Sequence, residues 1–269
     1  MIRISPLEKI RTLSVVLSNL FLGSSVTSLA LFPKPRRMVE YVQTTLFYYK
    51  AVTSNGLPNK NIQDLFQISA DSVTLQFCNL DKGWFKIDPS YTKDIFSLCL
   101  ICQLLKPKVI FEIGTLNGYT ARHFALNTDA NATIYTLDLP YEAEVTPKLN
   151  MTVVDKQQMQ FRKTPGKMWF AGKPEEVKIH RLYGDSATLD FTPFYGKVDF
   201  FFIDGAHSYD YVRCDTLSAL KCCHSGSLIA WHDYGRIGVN GVSRWLHHFA
   251  KSRSIYRIPG SSTAFMRVD

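Results

Sequence analysis

Residues 109–125 read VIFEIGTLNGYTARHFA, and the expected fold follows from this stretch. Apolar residues surround one acid, Glu112, in a run that predicts a buried strand. Two glycines, Gly114 and Gly118, come next, and a helical pattern starts directly after the second. A strand, a glycine turn and a helix in this order predict a unit whose turn receives a nucleoside cofactor.

The glycine spacing argues against a dinucleotide. A dinucleotide turn would need glycines at 114, 116 and 119, but the last two positions are Leu116 and Tyr119. The Leu116 side chain would obstruct the close approach of a pyrophosphate. Asp138, at the end of the next predicted strand, lies where an acid accepts hydrogen bonds from ribose hydroxyls. A nucleoside without a diphosphate is therefore favoured over a nicotinamide cofactor.

Strands and helices alternate along the rest of the chain. The predicted strands are 109–113, 133–138, 177–182, 198–204 and 227–232. The predicted helices are 91–105, 118–127, 209–222 and 242–251. Continuous apolar strands are typical of a parallel sheet covered on both faces, and segments 254–258 and 262–268 predict a closing hairpin. We therefore expect an α/β fold with a Rossmann-like, doubly wound, mostly parallel sheet and a C-terminal antiparallel hairpin.

Two segments depart from this alternation. Residues 139–174 are polar and contain several prolines and glycines, so we expect an irregular segment that forms a lid or binding loop over the site, or else a disordered surface insertion. Residues 1–60 predict a helical N-terminal appendage that ends in turn signals. The expected organisation is thus an appendage, 1–60, and an α/β domain, 61–269.

Composition and charge limit the class of protein. The chain has 269 residues, 46% of them hydrophobic, which suits one globular α/β domain. The net charge is +8, and residues 1–50 hold seven basic and two acidic residues. A solvated basic arm is the favoured interpretation, and an anionic partner such as a membrane surface or a phosphorylated substrate is the alternative.

The uncharged stretch 12–33 raises the question of a membrane. A signal peptide or a weak anchor is one interpretation. Serine, asparagine and glycine dilute the apolar run, which favours short helices packed on the domain or on a partner. We therefore expect a cytoplasmic protein, with membrane association through 12–33 as the alternative and a homodimer through apolar faces in 12–48 as an open possibility.

The six cysteines show no paired spacing of the kind that binds zinc. Cys99 and Cys102 form a CxxC, but they fall within the apolar pattern of a predicted helix. Packing is favoured over a redox or zinc site, and a reducing compartment fits best.

Five motifs in order carry a resemblance to a known family. They read FEIGTLNGYT, TIYTLDL, YGDSATL, VDFFFIDGAHSYDYVRCD and SLIAWHDYG. Together they resemble class I S-adenosylmethionine-dependent methyltransferases, over residues 91–269. The nearest resemblance is to small-molecule O-methyltransferases related to catechol O-methyltransferase. A bacterial group with IDGxHSY and HDY motifs, which includes macrolide-sugar methyltransferases and relatives of cephalosporin hydroxylase, is also similar.

The resemblance implies S-adenosylmethionine as the cofactor and a role for each motif residue. The methionine part would be lined by Glu112, Gly114, Gly118 and Thr120, the ribose held by Asp138, and the adenine flanked by Asp185 and Ser186. Asp204 would lie beside the methyl group. Ordinary turn chemistry is the alternative: Gly118 would relieve crowding and Asp185 would cap the following turn.

A hydroxyl that attacks the methyl group must lose its proton, to a general base or with the help of a divalent cation. His207 lies three residues after Asp204, where catechol O-methyltransferase-like enzymes have a base lysine, so the resemblance makes it the candidate base. A histidine that caps the following helix is the alternative. Asp204 and Asp233 end neighbouring predicted strands and are candidate Mg²⁺ ligands, although His232 weakens that assignment because magnesium prefers oxygen.

The expected function is methylation of a hydroxyl on a small molecule, such as a sugar or a secondary metabolite. A nucleic-acid methyltransferase is disfavoured, because the residues from Asp204 to His207 replace the Asn/Asp-Pro-Pro-aromatic motif of base-methylating enzymes. No nucleic-acid partner is therefore expected. A binding or scaffold protein, or a hydroxylase-like relative that keeps the fold, remains the alternative.

Overall fold

The computed structural model describes residues 56–66, 73–78, 90–140, 146–161, 167–236 and 238–269. The expected features at 12–33 and 12–48 lie outside these residues, as does nearly all of the expected appendage. The division at residue 60 therefore stays a prediction. None of the helices in the described part combines the length and the hydropathy needed to cross a bilayer.

Seven strands form one sheet in the order β3-β2-β1-β4-β5-β7-β6. Their bounds are β1 Val109–Ile113, β2 Thr133–Asp138, β3 Ile179–Tyr183, β4 Val198–Ile203, β5 Cys223–Trp231, β6 Tyr256–Arg257 and β7 Ala264–Arg267. Strands β1 to β5 pair in parallel, while β7 runs antiparallel to both β5 and β6. The predicted doubly wound sheet with an antiparallel C-terminal hairpin is confirmed.

The helices flank this sheet. In the described part they are α1 Ile62–Phe66, α2 Ser90–Leu105, α3 Tyr119–Leu126, α4 Val153–Phe161, α5 Tyr209–Cys222 and α6 Asn240–Phe249. Strand β3 starts two residues later than predicted, because Val177 belongs to a 3₁₀ turn and is 83% exposed. Strand β5 starts four residues earlier than predicted, at Cys223, which pairs with Val198.

The core has two apolar layers because successive side chains of a strand point to opposite faces. In β4, Phe201 packs in the layer of α5 and α6, whereas Phe200 and Phe202 pack in the layer of α2 and α3. Phe111 of β1 stacks on Phe201 with ring centroids 4.9 Å apart. Burial on both faces explains why these strands read as continuous apolar runs.

The cysteine prediction is confirmed for the CxxC pair. Cys99 and Cys102 are fully buried in α2 as free thiols. Burial raises the pKa of the Cys102 thiol well above its usual value, so this pair packs the core.

The segment 139–174 contains a helix that its sequence pattern does not predict. Helix α4 lies within it, so the expectation of an irregular segment was wrong at this point. Thr152 starts the helix by donating its hydroxyl to Asp155, whose backbone N–H donates back at 3.1 Å. The exposed Gln157 and Gln158 dilute the apolar pattern that would have revealed the helix.

Candidate active site

A cavity of about 440 Å³ opens at the carboxyl ends of the parallel strands. Eight residues singled out from the sequence line it: Gly114, Thr120, Asp138, Asp185, Ser186, Asp204, His207 and Asp233. Two others, Glu112 and Gly118, are absent from its lining. Consecutive strand ends therefore bring most of the predicted site to one space, as expected of a doubly wound sheet.

The turn after β1 reaches unusually close to the loop after β4. Gly114 has φ 105°, and a Cβ there would lie 2.0 Å from the backbone oxygen of Asp204. Leu116 also has a positive φ, 47°, and its backbone N–H donates to Asp138 Oδ2 at 2.8 Å. The strained turn is therefore held between the ends of β4 and β2.

Asp138 ends β2 and is nearly buried at the cavity wall. Its Oδ1 accepts the backbone N–H of Leu139 at 2.8 Å, and its Oδ2 accepts that of Leu116. Both contacts fix the carboxylate relative to the backbone of the turn. The ribose role stays a prediction, and the position of this carboxylate suits it.

Asp185 caps a turn and also lines the cavity, and its predicted place beside the adenine stays a prediction. Its Oδ1 accepts the N–H of Ala187 at 2.9 Å, which is a turn cap, and its side chain also lines the cavity. Its Oδ2 accepts the N–H of Lys148 at 2.7 Å and the hydroxyl of Tyr211 at 2.8 Å. Asp185 thereby connects the segment that leads to α4 with the end of β3.

Glu112 lies beneath the turn and does not line the cavity, and its predicted cofactor contact stays a prediction. Its side chain is fully buried, and Oε2 accepts the hydroxyl of Thr136. Thr136 in turn lies 2.6 Å from the hydroxyl of Thr115. Burial raises the pKa of Glu112 well above its usual value, which favours the neutral acid beneath the turn.

Gly118 has a packing role, and its predicted cofactor contact stays a prediction. Its φ is 75°, and a Cβ would lie 2.3 Å from the ring of Phe170. The close approach of this ring supports the alternative interpretation, in which the glycine relieves crowding.

An acid–histidine cluster forms the other side of the cavity. Its members are Asp94, Asp155, Asp204, His207, His232 and Asp233. One possible ligand atom each from Asp204, His232 and Asp233 lies within 4.8 Å of the others. His232 Nδ1 is 3.1 Å from Asp204 Oδ1 and 3.2 Å from Asp233 Oδ1.

Asp94, near the start of α2, orients His232 from behind. Its Oδ2 lies 3.1 Å from His232 Nε2 and accepts a hydrogen bond from Arg236 at 3.2 Å. The backbone N–H of Ser262 and the hydroxyls of Ser261, Ser262 and Thr263 also donate to Asp94. Burial alone would raise its pKa, but these donors hold the pKa of Asp94 well below its usual range.

The surroundings of His207 count against its predicted role as a base. Its Nδ1 lies 2.5 Å from Asp155 Oδ1, and its Nε2 lies 2.7 Å from Asp233 Oδ2. Burial lowers the pKa of the imidazole, but the two carboxylates outweigh burial and raise it to about 10. At neutral pH His207 is therefore a cation with both N–H groups donated, and it has no lone pair to accept a proton.

The backbone of Asp233 is strained, with φ 62°. Its carboxylate faces His207, His232 and also Arg236, whose Nε lies 2.8 Å from Oδ1. A non-glycine residue in this conformation persists where its surroundings fix it, which is common at functional sites.

Comparison with known families identifies the class of protein. Residues 111–234 match the sequence model of a family described as a methyltransferase domain. This part of the chain spans the turn after β1, the end of β2 and both strand ends of the acid–histidine cluster. Residues 111–234 thus form a methyltransferase domain.

Solved structures resemble this chain at low sequence identity. One is the O-methyltransferase TomG from Streptomyces achromogenes, involved in tomaymycin synthesis and solved with SAM. It is 17% identical over 78% of this chain and 97% of its own, with a TM-score of 0.45. Another is an O-methyltransferase from Bacillus cereus in complex with SAH, which is 16% identical over 77% of this chain and 87% of its own, with a TM-score of 0.44. A comparison with curated proteins found no match.

Proposed function

We propose that this methyltransferase transfers the methyl group of S-adenosylmethionine to a hydroxyl of a small molecule. The observation that carries the proposal is that Asp138 and the acid–histidine cluster face one cavity. In the reaction the acceptor oxygen bonds to the methyl carbon while the carbon–sulfur bond breaks, and the hydroxyl proton is lost. Alignment of oxygen, carbon and sulfur is the main task of the site.

The cofactor fits the side of the cavity that is formed by the turn after β1 and the ends of β2 and β3. Asp138 would accept hydrogen bonds from the ribose, and Asp185 and Ser186 would flank the adenine. The methyl group would then point towards Asp204, at the end of β4. Asp204 is the more exposed of the two candidate metal-binding acids, with a side chain 28% accessible against 11% for Asp233.

The acid–histidine cluster has the charge and the donor atoms for a divalent cation. Burial lowers the pKa of His232, but Asp204 and Asp233 outweigh burial and raise it well above its usual value. The four carboxylates of the cluster then face three cations, His207, His232 and Arg236, which leaves one negative charge uncompensated, and a bound cation would replace the His232 proton. His232 Nδ1 is buried and has no hydrogen-bond partner among the described residues, although it points at two carboxylates. Asp94 holds the opposite nitrogen, as carboxylates do behind metal-binding histidines.

Asp204, His232 and Asp233 would therefore hold the ion. When bound, it would lower the pKa of the acceptor hydroxyl, a task for which His207 has no free lone pair. Two oxygens and one imidazole nitrogen suit Mn²⁺, Co²⁺ or Zn²⁺ better than the predicted Mg²⁺, which prefers oxygen alone. His207 then serves to hold Asp233.

The lining of the cavity favours a neutral acceptor with an apolar or aromatic face. Its apolar and aromatic lining includes Tyr91, Ile95, Leu98, Met151, Met159 and Trp169. No lysine or arginine belongs to the lining in the described part of the chain. A phosphorylated acceptor, considered from the net charge of the sequence, would therefore meet no lysine or arginine among the described lining residues.

The test is a transfer assay with labelled S-adenosylmethionine and Mn²⁺ on a panel of hydroxylated aromatic compounds and glycosides, with phosphorylated counterparts as controls. We expect O-methyl ethers of the neutral compounds, together with calorimetric binding of S-adenosylhomocysteine. Methylation at nitrogen or carbon, or a preference for phosphorylated acceptors, would contradict the proposal.

A further inference from the structure

Helix α4 is attached to the site by one buried carboxylate. We propose that Asp155 is a positioning residue, which docks α4 on the cavity and, through His207, holds Asp233 in place. The part of this inference that concerns Asp233 rests on the proposed cation site.

The burial of α4 is unusual for a helix on the surface of a domain. Among the side chains that the structure describes in this helix, that of Asp155 alone is buried, at 3% exposure, while Lys156, Gln157 and Gln158 are exposed. A surface helix ordinarily buries an apolar stripe. In α4 a carboxylate takes that place, so polar contacts attach the helix.

Asp155 makes more contacts than a helix cap needs. Thr152 supplies the cap, with its N–H 2.9 Å and its hydroxyl 2.7 Å from Asp155 Oδ2. The backbone N–H of His207 donates to both carboxylate oxygens, at 3.3 Å and 3.2 Å. The imidazole adds the 2.5 Å contact to Oδ1. The carboxylate therefore joins the start of α4 to the loop after β4.

The loop that carries His207 is fixed from its other side. Gly241, in the first turn of α6, lies so close that a Cβ would be 2.2 Å from the backbone oxygen of His207. His207 Nε2 points at Asp233. The next residue, Tyr234, donates its backbone N–H to the backbone oxygen of Ser262 at 2.8 Å. Since these elements are packed against one another, α4 is the part that can separate if the contact with Asp155 is lost.

The attached segment forms a wall of the cavity that spans both of its sides. Met151, Gln158 and Met159 line the cavity from this segment. Just before them, Lys148 and Leu149 bond to Asp185 and Tyr211 through their backbone N–H groups. Docking of α4 by Asp155 would thus close the acceptor side and exclude water during transfer.

Two matched variants separate this role from helix capping. Asp155→Asn keeps the size of the side chain and an oxygen for Thr152, but it removes the charge that faces His207. Thr152→Ala removes the cap and leaves the pair of Asp155 with His207 intact. Hydrogen exchange of residues 146–161 reports docking, and Mn²⁺ titration followed by electron paramagnetic resonance reports the state of Asp233. Both are measured with saturating S-adenosylhomocysteine.

We expect Asp155→Asn to raise hydrogen exchange across residues 146–161 about tenfold, because polar contacts attach the helix. We also expect it to weaken Mn²⁺ binding about tenfold, as loss of a group behind a metal ligand does. Thr152→Ala should leave Mn²⁺ binding unchanged and affect exchange only near the start of α4.

Equal effects of the two variants on exchange and on Mn²⁺ binding would overturn the inference, because Asp155 would then be a helix cap. Wild-type protein that binds no Mn²⁺ would refute the proposed cation site instead. In that case the exchange measurement alone decides whether Asp155 docks α4, and unchanged exchange in Asp155→Asn refutes it.

Discussion

The two sides of the cavity each place a buried carboxylate behind the lining, and the two acids behave in opposite ways. Asp94 supports the acid–histidine side and receives donors from five residues, which hold its pKa well below its usual range. Asp215 of α5 lies near Asp185 behind the cofactor side, and burial raises its pKa to about 7. The buried acid on one side is therefore a stabilised carboxylate, whereas Asp215 on the other side is only partly ionised at neutral pH.

The largest effect on the free energy of unfolding should come from a substitution on the acid–histidine side. Asp94→Asn leaves His232 and Arg236 without their buried counter-charge, so we expect a loss of about 4 kcal/mol in the free energy of unfolding. Urea denaturation at pH 7 measures it. Asp190→Asn, at an exposed turn acid, is the control and should not change the midpoint. Equal midpoints for both variants would mean that Asp94 carries no net stabilising charge.

The second prediction concerns Asp215 and pH. Because its pKa is raised in the folded protein, the contribution of the neutral acid is present below pH 4 and is lost as the pH rises towards 7. The stability of Asp215→Asn relative to wild type should therefore increase over this range, by up to about 4 kcal/mol. Denaturation series at pH 4 to 8 test this. A difference that stays constant with pH would show that Asp215 is already charged.

The third prediction concerns the cofactor side directly. Asp138→Ala should weaken S-adenosylhomocysteine binding about 100-fold, because two charge-assisted hydrogen bonds to the ribose are lost. Calorimetry measures the affinity, and circular dichroism verifies the fold. Asp190→Ala serves as the control outside the cavity. Unchanged affinity in Asp138→Ala would remove the ribose assignment.

The smallest expected effect, that of Gly118→Ala, distinguishes a packing role of Gly118 from a contact with the cofactor. Gly118→Ala places a Cβ against Phe170 at a positive φ, so we expect a loss of about 2 kcal/mol in stability. Affinity for S-adenosylhomocysteine should stay close to that of wild type, since Gly118 does not line the cavity. A large loss of affinity at unchanged stability would restore the contact that the family resemblance implies.

The cofactor side could be predicted from the sequence because its contacts are local. Asp138 bonds to the N–H groups of Leu139 and Leu116, 1 and 22 residues away, and its place at a strand end follows from the alternation of strands and helices. The position of Glu112 beneath the turn could not be predicted, because a strand pattern gives the alternation of faces but not the depth of a side chain beneath a turn.

The acid–histidine side could be predicted only in part because side chains distant in sequence build it. Asp94 and His232 are 138 residues apart, and Asp155 and His207 are 52 apart. Asp94 lies in a helix whose pattern shows only its apolar face, and Asp155 lies in a helix that was not predicted. The strand ends indicated Asp204 and Asp233. The protonation of His207 also depends on Asp155, which the sequence did not indicate.

The most direct test of the two-sided cavity is a crystal structure with S-adenosylhomocysteine and Mn²⁺, recorded with anomalous diffraction. We expect the ribose beside Asp138, and one anomalous peak within coordination distance of Asp204, His232 and Asp233. A cofactor bound elsewhere, or a peak that lies away from these three side chains, would contradict the assignment of the two sides.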